Sequence, residues 1–259
     1  MCVPHWHSRN SVRHNQLVTL IATALFLILG FTVQSAFGFG VALISIPLLT
    51  LVLPITQITP LLAMLSMLLS ISILRNNWRL INRDITWRIL LAASIGVPIG
   101  VAFLVYVNEG VVKMVLGAVV VLSSLNALLS LTPSTPMPAF AIWPFGLVIG
   151  ILGAAYNLLG APLVLCLQWA RLKVEEYRAT IHGISVLLNV VIMAFYGASG
   201  LLSKATLVNF SAGLIPMLIG GLLGNVVVQT VNAEQFQKIV YAILLVMGFS
   251  LIVSGFGAL

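Results

Sequence analysis

Few side chains in this sequence can do chemistry, and several of them are regularly spaced. Arg178, His182, Ser185 and Asn189 fall at i, i+4, i+7 and i+11, so a helix through them carries one polar stripe on an otherwise apolar surface. Inside a membrane such a stripe faces the bundle interior or a solute pathway. Taken singly, Arg178 has an ordinary role as an interfacial anchor that snorkels to headgroups. His182 is either a proton relay or a hydrogen-bonded core histidine. A second group is Gln34 and Ser35, followed by Gly38 and Gly40, within a run over 16–53 that has no charge. Bonding to neighbouring helices is the plain explanation for Gln34 and Ser35. The functional one is that they face a central cavity with the N–H groups freed near the two glycines. Tyr156, Asn157 and Gly160 stand at a comparable interruption later in the chain. A helix that starts after such a break aims its positive dipole end at an anion. Neutral donors of this kind suit an anion that must leave again.

The elements that position these groups are membrane segments. The chain of 259 residues is 61% hydrophobic and 7% charged, against roughly 25% charged in soluble domains. Apolar runs cover 16–36, 39–53, 57–75, 86–107 and 111–131, then 139–156, 159–170, 177–197, 205–230 and 235–257. A spanning helix needs about 20 residues. The runs at 39–53 and 159–170 are short of that, so each is read as half of a re-entrant hairpin. Broken backbone at membrane depth survives only where protein or a water-filled cavity surrounds it, and discontinuous segments build substrate sites in transporters. The expected fold is all-α: a polytopic integral membrane protein of about eight to ten transmembrane segments. It divides into a tail at 1–15, a first repeat at 16–131, a Pro-rich linker at 132–138 and a second repeat at 139–259. Arg9 and Arg13 precede the first apolar run as in a signal peptide. That run is too long and lacks a cleavage site, so it is read as an uncleaved span.

The two halves follow one order: broken segment, helix, loop, Gly-xxx-Gly helix, Asn turn, helix. At an offset of 120, Gly30 meets Gly150, Gly40 meets Gly160 and Leu43 meets Leu163; at 124, Gly96 and Gly100 meet Gly220 and Gly224, and Asn108 meets Asn232. The loop with Arg75, Arg79, Arg83 and Arg88 is the most basic and is assigned to the cytoplasm. Inverted halves add Arg171, Lys173, Arg178 and Lys238 to that side and leave Arg9, Arg13, Lys113 and Lys204 outside, a slightly better partition than parallel halves allow. Thr56, Thr59, Ala63, Ser66 and Ser70 make a small-residue face read chiefly as packing, with Thr56 and Thr59 as candidate cavity groups.

Other classes are excluded by what is missing from the sequence. There is no Gly-x-Ser-x-Gly, Walker, zinc-hydrolase or haem-attachment motif. Five acidic residues argue against a paired-carboxylate protease or a carboxylate-rich cation site, and Cys2 and Cys166 are too few for a disulfide framework or a four-cysteine metal site. No enzyme activity, cofactor or metal is expected. The net charge of +7 is scattered over membrane-flanking loops and does not point to nucleic acid.

Gly30, Gly38, Gly40, Pro47 and Thr59, with Gly150, Gly153, Gly160, Pro162 and Arg178-Ala179-Thr180 in the second half, resemble the sulfite exporter TauE/SafE family of membrane permeases. The resemblance covers almost the whole chain from about residue 16, and in the second half its Gly-rich motif reads Ala154-Ala-Tyr-Asn-Leu-Leu-Gly160. It implies transport of a sulfur-containing anion, such as sulfite or an organosulfonate, by a multi-pass protein of the inner (plasma) membrane. The partners would be a small anionic substrate and the lipid bilayer, with homo-oligomerisation left open. A permease for another small solute, or a non-transporting scaffold or assembly factor, are the alternative readings.

Overall fold

The computed structural model describes residues 6–75, 77–129, 139–170, 172–230 and 233–257. The expected linker at 132–138 and Arg171 lie outside them. Ten α-helices follow in order: α1 (Trp6–Phe37), α2 (Val41–Leu49), α3 (Ile55–Leu74), α4 (Arg83–Tyr106), α5 (Glu109–Leu128), α6 (Ile142–Tyr156), α7 (Gly160–Trp169), α8 (Val174–Ala198), α9 (Lys204–Thr230) and α10 (Ala233–Phe256). No strand occurs among the described residues. Among the described residues six helices are long and apolar enough to cross a membrane, those in α1, α3, α4, α5, α8 and α9; Ile142–Tyr156 is a shorter apolar helix, and Leu244–Phe256 is an apolar stretch of α10. Leucine, isoleucine and valine cover much of the outside, as in Leu25, Ile95, Leu122, Ile215 and Val246. Hydrocarbon-facing surfaces of this kind are what a polytopic membrane protein presents to lipid.

The two short helices are not spans. At 1.5 Å per residue, α2 and α7 rise only about 14–15 Å, half of the hydrocarbon layer. After its break, α2 folds back along α1: Gly30 lies against Val41 and Ser45, and the Ser45 hydroxyl donates to the Phe26 carbonyl at 3.1 Å. Residue numbers fall along α1 as they rise along α2, which makes an antiparallel hairpin.

Glycines set the other close pairs. A Cβ at Gly96 or Gly100 would fall on the carbonyls of Leu147 and Ile151, and one at Gly150 on the carbonyl of Ala93, so α4 and α6 touch backbone to backbone. On the other side of the bundle Gly220 and Gly224 meet the carbonyls of Ile28 and Thr32, which seats α9 on α1. Gly117 and Gly248 do the same for α5 and α10. Helices in lipid gain no hydrophobic drive against one another, so small residues that allow dense packing carry their association. The remaining large pairings are α3 with α8, α4 with α8 and α3 with α9.

Polar stitches at one end of the bundle fix direction. Asn82 caps α4, its side chain accepting from the Ile85 N–H at 3.1 Å. Its backbone N–H donates to Thr180 Oγ1 at 3.0 Å, and its amide donates to Glu176 Oε1 at 2.8 Å. The start of α4 therefore meets the start of α8; the end of α3 lies there too, with Ile73 and Leu74 lining one space with Arg178 and Ala179 and Ser70 bonded to His182, so α3 and α8 run antiparallel. Exposed Arg75, Arg79, Arg83, Arg88 and Lys173 gather at that end. Lys113 and Lys204 begin α5 and α9 at the other end, because α4 and α8 run the length of the bundle between them.

Gly224→Leu should abolish the monodisperse peak in size-exclusion chromatography, because the added side chain has no space at the α1 backbone. Gly197→Ala, where a Cβ meets only Leu202 Cδ1 at 3.7 Å, should leave that peak unchanged. Asn82→Ala should lower the thermal midpoint of the detergent-solubilised protein by the equivalent of about 1 kcal/mol, the usual loss for an N-cap. Asn82→Asp keeps the cap but sets a carboxylate against Glu176, so Glu176→Gln should restore part of its loss.

Candidate functional site

The site forms where the two breaks meet. α1 ends at Gly38, whose φ of 83° is left-handed and whose N–H donates to the Gln34 carbonyl at 2.7 Å. Gly40, φ 111°, then starts α2 without a side-chain cap. The second break uses the same device with a different residue: Asn157, φ 52° and ψ 25°, ends α6. The Asn157 N–H donates to the Gly153 carbonyl at 2.8 Å, the single bond of an αL cap, and the Leu158 N–H reaches back to the Leu152 carbonyl at 3.1 Å. Asparagine is the non-glycine residue that best tolerates this region. The breaks touch, since a Cβ at Gly160 would fall on Phe39.

Between them lies a cavity of about 30 Å³ bounded by both breaks, with Gln34, Ser66, Asn157, Ser185 and Asn189 as its polar side chains. That is room for a water or two. Val41, Ala42 and Leu43 from the first turn of α2 line it, as does Gly160 at the start of α7. The first N–H groups of a helix have no partner within it, so these turns point donors at the cavity. Ser66 of α3 ties the breaks together: its hydroxyl lies 3.4 Å from Gln34 Oε1 and accepts from Asn157 Nδ2 at 3.2 Å. Asn157 Oδ1 and both polar atoms of the Asn189 amide are buried with no hydrogen-bond partner among the described residues. Buried polar atoms are seldom left so, and here they converge on one space.

A second, larger space of about 170 Å³ lies toward the basic end, lined by Ile73, Leu74, Asn77, Glu175, Arg178, Ala179 and His182. His182 is fully buried; its Nδ1 is 3.1 Å from Ser70 Oγ, and its Nε2 has no partner. Arg178 forms no ion pair among the described residues.

The residues singled out by sequence thus separate into three groups. Gln34, Gly38, Gly40, Asn157, Gly160, Ser185 and Asn189 line the inner cavity, and Arg178 and His182 line the outer chamber. Ser35, Thr59 and Tyr156 are elsewhere. The Ser35 hydroxyl donates to the Gly221 carbonyl of α9 at 2.8 Å, and Thr59 bonds back to Ile55 of its own helix at 2.9 Å. Tyr156 donates to the Val112 carbonyl of α5 at 2.8 Å, its ring edge-on to Phe103. Ser66 and Ser70 were assigned to packing, yet one links the breaks and the other holds His182. Among the described residues no group of three His, Cys, Asp or Glu could hold a metal ion.

A family model described as Sulfite exporter TauE/SafE matches residues 22–251, which takes in both breaks, the cavity and the polar stripe of α8. No curated protein and no solved structure matches the chain. With nine-tenths of its length matched by one family of membrane transporters, and not of enzymes, the chain belongs to the sulfite exporter TauE/SafE family.

Proposed function

We propose that this protein is a secondary carrier or facilitator for a small sulfur-containing anion, such as sulfite or an organosulfonate, bound in the cavity between the two breaks. The observation that carries this reading is the cavity wall itself. It combines uncapped helix starts, an unpartnered Asn189 amide and the Gln34–Ser66–Asn157 link, and no carboxylate lines it among the described residues. Helix N-termini favour negative charge, and family membership supplies the substrate class. The free acceptor at Asn157 Oδ1 suits an oxyanion that carries its own proton, as hydrogensulfite does.

The cavity sits at the middle of α3 and α8, which corresponds to the bilayer midplane. Two inverted repeats, 16–131 and 139–259, fit the packing: α4 on α6 has its counterpart in α9 on α1, and α4 on α8 in α9 on α3. We assign the end with Arg75, Arg79, Arg83, Arg88 and Lys173 to the cytoplasm of the inner (plasma) membrane. At about 30 Å³ the cavity holds no more than a water or two, so rocking of one half against the other must enlarge it for transport.

Liposomes holding the purified protein should show saturable uptake of labelled sulfite that sulfonates or thiosulfate compete for. Asn189→Leu and Gln34→Leu should each lower that flux about tenfold or more, the weight of one hydrogen bond to a charged group. Ser35→Ala should keep most of it, because that hydroxyl serves α9. Absence of flux for all three anions, in both directions and with or without a proton gradient, would sink the anion reading and favour another solute or a scaffold role.

A further inference from the structure

The polar stripe of α8 runs through both spaces in order. Arg178 lines the outer chamber, His182 stands at its inner wall, and Ser185 and Asn189 line the inner cavity. On the far side of His182 is Gly38: a Cβ built there would stand 3.8 Å from Nε2, and Gly38 is itself part of the inner cavity wall. The imidazole is therefore the partition between the two spaces, held by Ser70 of α3 at Nδ1 and unpartnered at Nε2.

We propose that the outer chamber is a second anion site, a waiting site filled from the basic end of the bundle, and that His182 is the side chain an anion must displace to pass inward. This rests on reading the inner cavity as the transport site, and it adds where the anion comes from and what separates the two positions. The chamber, at about 170 Å³, is several times larger than the inner cavity. Its donors are the Arg178 guanidinium and the Asn77 amide, with Glu175 as the opposing charge at its mouth. A half-buried guanidinium without an ion-pair partner among the described residues raises the local concentration of anions. When Nδ1 accepts from Ser70, Nε2 carries the proton and donates toward the passage; which tautomer forms depends on Ser70. The anion meets a charged donor first, then one imidazole N–H, then neutral amides and helix starts, so its hold loosens as it moves inward.

The test needs no transported substrate. Ser185→Cys is introduced with Cys2→Ser and Cys166→Ala, and the new thiol is modified from the basic end by anionic and cationic methanethiosulfonates of similar size. The anionic reagent should react about tenfold faster than the cationic one, and Arg178→Gln should remove that preference. His182→Ala should raise the rate of both reagents about tenfold, and Ser70→Ala, which leaves the imidazole in place but untied, should raise it by a smaller factor. Rates unchanged by both His182→Ala and Ser70→Ala, in protein that remains monodisperse, would overturn the partition. An equal rate for the two reagents before Arg178 is changed would overturn the anion chamber. Either failure is separate from a failure of sulfite flux, because the thiol reports access and not transport.

Discussion

Backbone polar groups cannot be left bare in hydrocarbon, and this constraint organises the molecule. Stopping α1 at Gly38 and α6 at Asn157 frees N–H and C=O groups at depth. Lipid offers them nothing. The chain resolves this by burying the two breaks against each other, with Phe39 over Gly160 and Ser66 bonded to both sides. Turns to the left-handed region close the ends of the first helices, and what remains unpaired faces one small polar space. A defect that would be intolerable on the outside of the bundle becomes, at its centre, a set of donors with a common direction.

Bringing two breaks together demands that the surrounding helices approach closely and at fixed register. Gly96, Gly100 and Gly150 let α4 and α6 meet at the backbone; Gly220 and Gly224 let α9 meet α1. The side chains that then reach across are short. Ser35 spends its hydroxyl on the α9 carbonyl of Gly221, and Ser45 spends its own on Phe26. These bonds tie the broken segment to its neighbours, while Gln34, next to Ser35, lines the cavity. Helix contact and cavity lining are therefore divided between adjacent residues of one segment.

The path read along α8 gives the stripe of that helix a physical order. Its start is near the exposed arginines, its middle is at the level of the breaks, and the degree of charge falls along it from Arg178 to Asn189. The anion carrier proposed above would have no need of a buried cation at its centre. In that proposal, attraction over long range would come from the chamber, and short-range recognition from neutral amides and helix ends.

Hydrophobic runs and their interruptions were enough to locate all ten helices and both breaks, because burying or exposing apolar surface to lipid is a property each segment carries by itself. The stripe on α8 was readable for the same reason: helical spacing is local. What each hydroxyl bonds to was not. Ser35 and Tyr156 sit beside the breaks in sequence, yet α9 and α5 supply carbonyls that turn them away, and Ser66 and Ser70 join the site only because α3 crosses α8 there. Read alone, the residues set a polytopic membrane protein, its two short interrupted helices and the helix faces available for contact. The tertiary structure alone decided which faces meet, since hydrogen-bond partners far apart in the chain are chosen by the crossing of helices and not by the residues that flank them.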